Sequence, residues 1–234
     1  MRSRLIITGA SRGIGKSTAL KFAGNQFDVA FCGRNKEDLS ALENQLKSMF
    51  DGNFKGFVAD LRDKQAVKEF GKNAIDFLGG CDVLVNNAGI FVPGSIENDE
   101  DGIFEDQLAI NLHSYYHLTR AVLPALKLGK RPHIFNMCSI ASIKAYPNGG
   151  SYCISKFAVY GLTKVLREEL KPAHIGVTAI LPGATLTESW GESTEPATRF
   201  MRTTDIADAI WAAYSINEHT VMEDIIMRPV AGDI

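Results

Sequence analysis

The sequence predicts an α/β fold, a doubly wound seven-stranded parallel sheet with helices on both faces. Three observations predict it. Short apolar, β-branched runs alternate regularly with longer stretches of helical pattern. That alternation implies right-handed β–α–β crossovers, the connection parallel strands require. The strand runs are also near-continuously apolar instead of alternating, which suits a sheet buried on both sides.

Taken in chain order, residues 4–8 form the first strand, and the glycine-rich run after it opens a helix over 13–24. A strand at 28–32 and a helix at 36–50 follow, then a strand at 55–59. The third helix spans 63–77, with acidic Asp63 well placed as its N-cap. Beyond it come a strand at 82–85, a long helix over 101–128, a strand at 133–138 and a helix over 150–171. A strand at 176–181, a helix at 204–216 and a last strand at 224–227 complete the pattern. The one long irregular stretch is 183–202, read either as a substrate lid or as a surface excursion. No internal repeat, low-complexity segment or linker divides the chain. Its 234 residues fit one domain over 1–234 with a sizeable core.

Composition narrows the function. A net charge of −2 provides neither a basic footprint for nucleic acid nor a polybasic membrane patch. The apolar run before Thr8-Gly9 is too short for a signal-peptide core or a membrane span, so a cytoplasmic location is expected. Cys32, Cys81, Cys138 and Cys153 show no paired spacing and read as buried, reduced thiols. His113 and His117 are spaced as metal ligands would be on a helix, but no glutamate stands between them. They read as helix-face or interface residues, and no metal is expected.

The run Thr8-Gly9-Ala10-Ser11-Arg12-Gly13-Ile14-Gly15 lies at the first strand–helix junction. Glycines there let the backbone turn sharply and approach a pyrophosphate, whose charge the helix N-terminus stabilises. The spacing G-x-x-x-G-x-G departs from G-x-G-x-x-G, but its physical job is the same. Gly15-Lys16-Ser17 is out of frame for a P-loop. The second strand ends Cys32-Gly33-Arg34, with no acid to bond an adenosine 2′-hydroxyl. Arg34, with Arg12 in the glycine run, suits the 2′-phosphate of NADP. Two solvated surface arginines are the alternative.

The spacing Y-x-x-x-K occurs twice, as Tyr152 with Lys156 and as Tyr160 with Lys164. Surroundings separate the copies. Ser139 stands thirteen residues before Tyr152, directly after the fifth strand, whereas the matching position before Tyr160 is Pro147. Tyr160 lies about 12 Å further along the helix, rotated by roughly 80°. Tyr152 and Lys156 are therefore the candidate chemistry, and Tyr160 and Lys164 packing and surface. Residues i and i+4 share a helix face, and an ammonium there, helped by a positive nicotinamide ring, favours tyrosinate. Tyr152 would exchange a proton with a carbonyl oxygen, and Ser139 would hydrogen-bond the same oxygen.

With Thr8–Gly15, Asp60-Leu61, Asn86-Asn87-Ala88-Gly89, Asn111, Ser139, Tyr152, Lys156 and Pro182-Gly183, the chain resembles the short-chain dehydrogenase/reductase family over essentially its whole length. The resemblance implies a Rossmann-type domain, an NADP(H) cofactor and a tetrad of Asn111, Ser139, Tyr152 and Lys156. Asn111 would hold a water in a proton relay to Lys156. Gly9, Ser11, Gly13, Ile14 and Gly15 of the glycine run, with Arg12 and Arg34 at the adenosine end, are the candidate cofactor contacts. Asp60 and Leu61 would meet the adenine, and Asn87, Ala88 and Gly89 would wall the cleft. Pro182, Gly183, Thr185 and Thr187 would meet the nicotinamide.

Substrate recognition falls to 89–99, 140–150 and 183–202, which are mostly apolar and contain Ile90, Phe91, Ile140, Tyr146, Trp190 and Phe200. That favours a neutral or amphipathic small-molecule carbonyl. The runs Thr187–Gly191 and Ile225–Pro229 with Gly232–Ile234 resemble bacterial sepiapterin reductases, which reduce a diketone-like side chain. Tyr146, Trp190 and Asp233 are the candidate substrate contacts, and Asp233 reads equally as a frayed terminal carboxylate. A 3-oxoacyl thioester reductase is the alternative enzyme, and an NADP-binding regulator without chemistry the alternative class. The family usually pairs its two long helices, so a homodimer or homotetramer is expected, with Tyr115, Tyr116 and Leu118 at the interface.

Overall fold

A computed structural model describes residues 2–188 and 194–232. Its centre is one parallel sheet of β1 (Ser3–Thr8), β2 (Phe27–Gly33), β3 (Phe54–Val58), β4 (Val83–Asn86), β5 (His133–Met137), β6 (Gly176–Pro182) and β7 (Asp224–Met227). The strand order is β3-β2-β1-β4-β5-β6-β7. The chain builds outward from β1 through β2 to β3, then returns to β4 and builds the other way. That reversal opens a crevice at the carboxyl ends of β1 and β4, where sheets of this kind bind ligands.

Among the described residues seven α-helices cover the faces: α1 (Gly13–Gly24), α2 (Lys36–Met49), α3 (Lys64–Leu78), α4 (Ile103–Leu108), α5 (Ser114–Leu126), α6 (Gly150–Leu170) and α7 (Thr203–Ser215). The two-residue period of a strand explains why the middle of β1, Leu5-Ile6-Ile7, is apolar at every position. Leu5 and Ile7 pack with Phe22 of α1, Leu42 of α2 and Ile210 of α7. Ile6 points the other way, among Val67 and Phe70 of α3 and Val122 of α5. All three β1 residues are fully buried.

The expected strands and most helices fall within a residue or two of those observed. Asp63 caps α3, its carboxylate accepting from the Gln65 amide at 2.7 Å. The helix expected over 101–128 is different. A π turn, Ala109–His113, separates α4 from α5 and accommodates an extra residue in the coil. Asn111 sits in that turn. The helix phase also corrects the interface residues, because Tyr115 and Leu118 are fully buried in the chain's own core and only Tyr116 is exposed.

The stretch 183–202 is tied to itself by a bridge between Thr185 and Met201 and contains a short 3-10 turn, Ala197–Arg199. Trp190 and Asp233 lie outside the described residues. No described helix is long and apolar enough to cross a membrane. The four cysteines are buried free thiols.

Candidate active site

A cleft of about 1060 Å³ opens at the carboxyl ends of the central strands. Its floor is the turn between β1 and α1. Gly9 and Gly13 adopt left-handed conformations, with φ of +65° and +56°. Gly15 is required for a different reason. A Cβ there would lie 2.2 Å from the Gly9 carbonyl oxygen and 2.5 Å from the Asn87 amide nitrogen. Asn87 holds the turn from the next strand, its Nδ2 donating to the Thr8 and Gly9 carbonyls at 2.9 and 3.0 Å. Thr8 Oγ1 in turn accepts from the Asn87 and Ala88 amides, both at 3.0 Å. Asn86 faces the other way, bonding Thr119 and Asn136 beneath the cleft at 3.1 and 2.9 Å.

Ser11, Arg12, Ile14, Arg34, Asp60 and Leu61 line the same cleft. Arg34 is exposed and has no ion-pair partner among the described residues. Arg12 differs from the expectation of a free cation, because it pairs with Glu188. Asp60 accepts from the Arg62 amide at 3.0 Å, which fixes its carboxylate at the rim. On the opposite wall, Gly183 is anchored to β7 through Met227, and Thr185 donates to its carbonyl at 3.1 Å. Thr187 overhangs the glycine turn, its methyl 3.5 Å from where a Gly13 Cβ would be.

Ser139 follows β5 and caps the 3-10 turn Ile140–Ser142. Its Oγ accepts from the Ala141 amide at 3.1 Å, which leaves its own hydrogen free to donate into the cleft. Tyr152 stands in the first turn of α6, where its ring meets the edge of Phe91 with centroids 4.8 Å apart. Lys156, one turn on, is buried. Its Nζ lies 5.8 Å from the Tyr152 ring centre and donates to the Met137 carbonyl at 2.8 Å.

Burial pushes the Tyr152 phenol up to about 12, against the downward pull of the Ser139 hydroxyl. It also lowers Lys156 to about 8, because an ammonium loses its hydration there. The polypeptide alone thus holds the Tyr152 phenol protonated, and the expected lowering drew also on a positive nicotinamide ring. Loss of hydration outweighs the Ser139 hydrogen bond, and the Tyr152 phenol keeps its proton.

Asn111 uses both of its amide hydrogens and one lone pair of its oxygen. It donates to the Ile90 carbonyl at 3.0 Å and to Ser155 Oγ at 2.9 Å, and its Oδ1 accepts from the Ile90 amide at 2.8 Å. A Cβ on Gly89 would lie 3.3 Å from Asn111 Oδ1 and 3.5 Å from Lys156 Nζ, so this glycine keeps the space between them open. The other tyrosine–lysine pair points elsewhere. Tyr160 donates to Asp224 at 2.7 Å and Lys164 lies over its ring at 4.3 Å, tying α6 to β7 outside the cleft.

Several contributors carried no readable signal in the sequence. The Met137 carbonyl is backbone, Ser155 accepts from Asn111 and donates to the Tyr152 carbonyl, and Glu188 meets Arg12 across 176 positions of chain. Lys144 and Asn148 line the substrate end beside Phe91, Pro93 and Tyr146. These lie in the segments assigned to recognition, but their turns decide which side chains face inward.

The short chain dehydrogenase family model matches residues 3–198. The chain belongs to the short-chain dehydrogenase family. Over 243 aligned residues it is 31% identical to sepiapterin reductase of Chlorobaculum tepidum, covering 100% of this chain and 99% of the relative. It is 37% identical over 181 residues to a putative ketoacyl reductase of the monensin polyketide synthase of Streptomyces virginiae, covering 76% of this chain and 69% of that one. A metagenomic short-chain oxidoreductase solved in complex with NADP superposes with a TM-score of 0.85 at 29% identity, covering 97% of both chains. The alcohol dehydrogenase of Thermococcus sibiricus, complexed with 5-hydroxy-NADP, shares the fold at a TM-score of 0.93 and 24% identity, over 99% of this chain and 98% of that one.

Proposed function

We propose that this chain is an NADP(H)-dependent carbonyl reductase whose proton donor is Tyr152. The observation that carries the reading is the convergence of Ser139, Tyr152 and Lys156 on one wall of a cleft whose floor is the glycine turn. Residues of that turn fit a dinucleotide: Gly9, Gly13 and Gly15 keep side chains away from a pyrophosphate, and unpaired Arg34 suits a 2′-phosphate. When bound, the reduced nicotinamide supplies a hydride to the carbonyl carbon. Tyr152 supplies the proton to the carbonyl oxygen, and Ser139 donates a hydrogen bond to it as charge develops. Lys156 returns a proton towards Tyr152, and a water in the gap beside Gly89 would link it to Asn111. With all four residues in place, this reading is preferred over a regulator without chemistry.

For substrate, the reading favours a ketone or vicinal diketone of the sepiapterin type. The full-length similarity to a sepiapterin reductase supports it, as do Phe91, Ile140 and Tyr146 around the substrate end. Lys144 at that end favours a second reading, since a 3-oxoacyl thioester brings phosphates that a lysine would meet. The apolar faces of α4 to α6, with Phe104, Tyr116, Ile154, Phe157 and Val165 exposed, are the surface for a homodimer or homotetramer. A cytoplasmic location remains part of the proposal.

The test is NADPH consumption with sepiapterin, a simple vicinal diketone and an acetoacetyl thioester, run on the wild type, Tyr152→Phe and Tyr160→Phe. Tyr152→Phe should lose activity by at least about a hundredfold, the usual scale for a general acid. Tyr160→Phe should retain it. Loss from Tyr160→Phe alone, or equal loss from both, would refute the assignment.

A further inference from the structure

We infer that Asp99, acting through Ser151, is a positioning residue that fixes the first turn of α6 and with it the Tyr152 hydroxyl; this rests on the reading of Tyr152 as proton donor. α6 begins at Gly150, and its N-cap, Gly149, has no side chain to hold the first turn. Something else must hold it, because helix ends fray when their orphan amides lack partners. The partner comes from the segment after β4. Ser151 Oγ donates to Asp99 Oδ2, and Ser151 is almost fully buried. The Asp99 carboxylate also lies near the positive end of α6, where negative charge is favourable.

A second, independent observation shows that the segment is built around this carboxylate. A Cβ on Gly94 would lie 2.2 Å from Asp99 Oδ1, so the 94–99 turn closes over a glycine. Gly94 also bridges to Gly149. Its amide donates to the Asn148 carbonyl at 3.0 Å, and its carbonyl accepts from the Gly150 amide at 3.1 Å. Two main-chain bonds and one side-chain bond therefore clamp the segment to the start of α6. The same segment places Phe91 against the Tyr152 ring. Both the backbone turn and the phenol of the proposed acid are thus held from one loop, and that loop also lines the substrate end of the cleft. Substrate seated on Phe91 and Pro93 would press on the element that aims the proton.

Asp99→Ala and Ser151→Ala should each lower kcat for a vicinal diketone by roughly 10- to 100-fold, the scale of a misaligned reacting group. The double variant should be no worse than the poorer single one, because both remove one interaction. Asp99→Asn, which keeps an acceptor for Ser151, should recover most of the rate. NADPH affinity should change less than about twofold, and the solvent deuterium isotope effect on kcat should rise as proton transfer becomes limiting. Independently of activity, hydrogen exchange in 150–156 should quicken in Asp99→Ala while α1 and α3 are unchanged. Unaltered exchange in that segment overturns the inference. So does a parallel fall of kcat, NADPH affinity and melting temperature, or a double variant whose losses multiply. If Tyr152→Phe retains activity while exchange at 150–156 still quickens, the proton-donor reading fails and the clamp stands as a structural contact alone.

Discussion

Arg34 is exposed along the cleft with no carboxylate partner among the described residues, whereas Arg12 is already paired with Glu188. The two arginines looked equivalent from their positions in the sequence, and tertiary contact divides them. An unpaired guanidinium beside a phosphate makes charge-assisted bonds worth about 1.5–3 kcal/mol. Arg34→Ala should therefore weaken NADPH binding by about 10- to 100-fold and change NADH binding by less than about twofold, read by fluorescence titration. Equal losses for both cofactors would show that Arg34 does not read the 2′-phosphate. At this scale the legible residues were those whose side chains are proposed to do chemistry at a fixed local spacing. Tyr152 was separable from Tyr160 because Ser139 stands at the right interval. The Met137 carbonyl that receives Lys156 was not, since a backbone acceptor has no residue type to betray it. Burial raises the Tyr152 phenol in the polypeptide alone, a quantity that depends on the whole surroundings.

Strands were legible because a parallel strand covered on both faces must be apolar at nearly every position, as Leu5, Ile6 and Ile7 are. The π turn at Ala109–His113 was not, because one extra residue in a single turn scarcely disturbs the apolar spacing around it. Yet that turn places Asn111 against Ile90. The glycine turn lies between these cases: its glycines were visible, while the separate reason for each needed the fold. Gly15 answers to contact instead of conformation, since its Cβ would strike the Gly9 carbonyl and the Asn87 amide. Gly15→Ala should lower the melting temperature by several degrees, as overpacking costs about 1–3 kcal/mol. It should also abolish the thermal shift produced by NADPH. Gly161→Ala in α6 is the matched control, since nothing lies within 4 Å of its Cβ position. There alanine should stabilise by about 0.5–1 kcal/mol through helix propensity alone. If the two substitutions behave alike in differential scanning fluorimetry, the close packing of the glycine turn is wrong.

Across the whole molecule the two ends of the sheet do different work. The carboxyl ends hold the cleft, while the amino ends hold buried polar groups that serve the fold. Arg4 grips Asp82 there through bonds of 2.8 and 2.9 Å, joining β1 to the start of β4. The strand order itself was not legible, because several right-handed arrangements satisfy the same alternation of strands and helices. With the order known, His133 acquires a meaning that its place in the sequence lacked. It opens β5 at the amino end, is buried, and stacks on Phe135 with centroids 4.2 Å apart. Its Nε2 lies 2.8 Å from Thr178 Oγ1, whose own hydrogen goes to the Met222 carbonyl at 2.6 Å, so the ring nitrogen is the donor. Burial, helped by the charge of Arg131, lowers the imidazole to about 3. In the unfolded chain it titrates near 6.5, so between these values only the unfolded state takes up the proton. The stability contributed by the neutral ring is complete above about pH 6.5 and is lost as pH falls towards 3, by about 1.4 kcal/mol per unit. The lowered carboxyl of Asp82 acts in the same direction, but an unfolded carboxyl takes up its proton nearer pH 4. Burial, with Lys64 nearby, also lowers the His117 imidazole, so in the interval from pH 6.5 to 5 the share of His133 is the difference between the wild type and a His133 variant. Urea unfolding across that interval should show the wild type losing about 2 kcal/mol more than His133→Gln, which is less stable at pH 7.5 and should have the shallower profile. An equally steep loss in the variant would mean that another group sets the acid sensitivity of the fold.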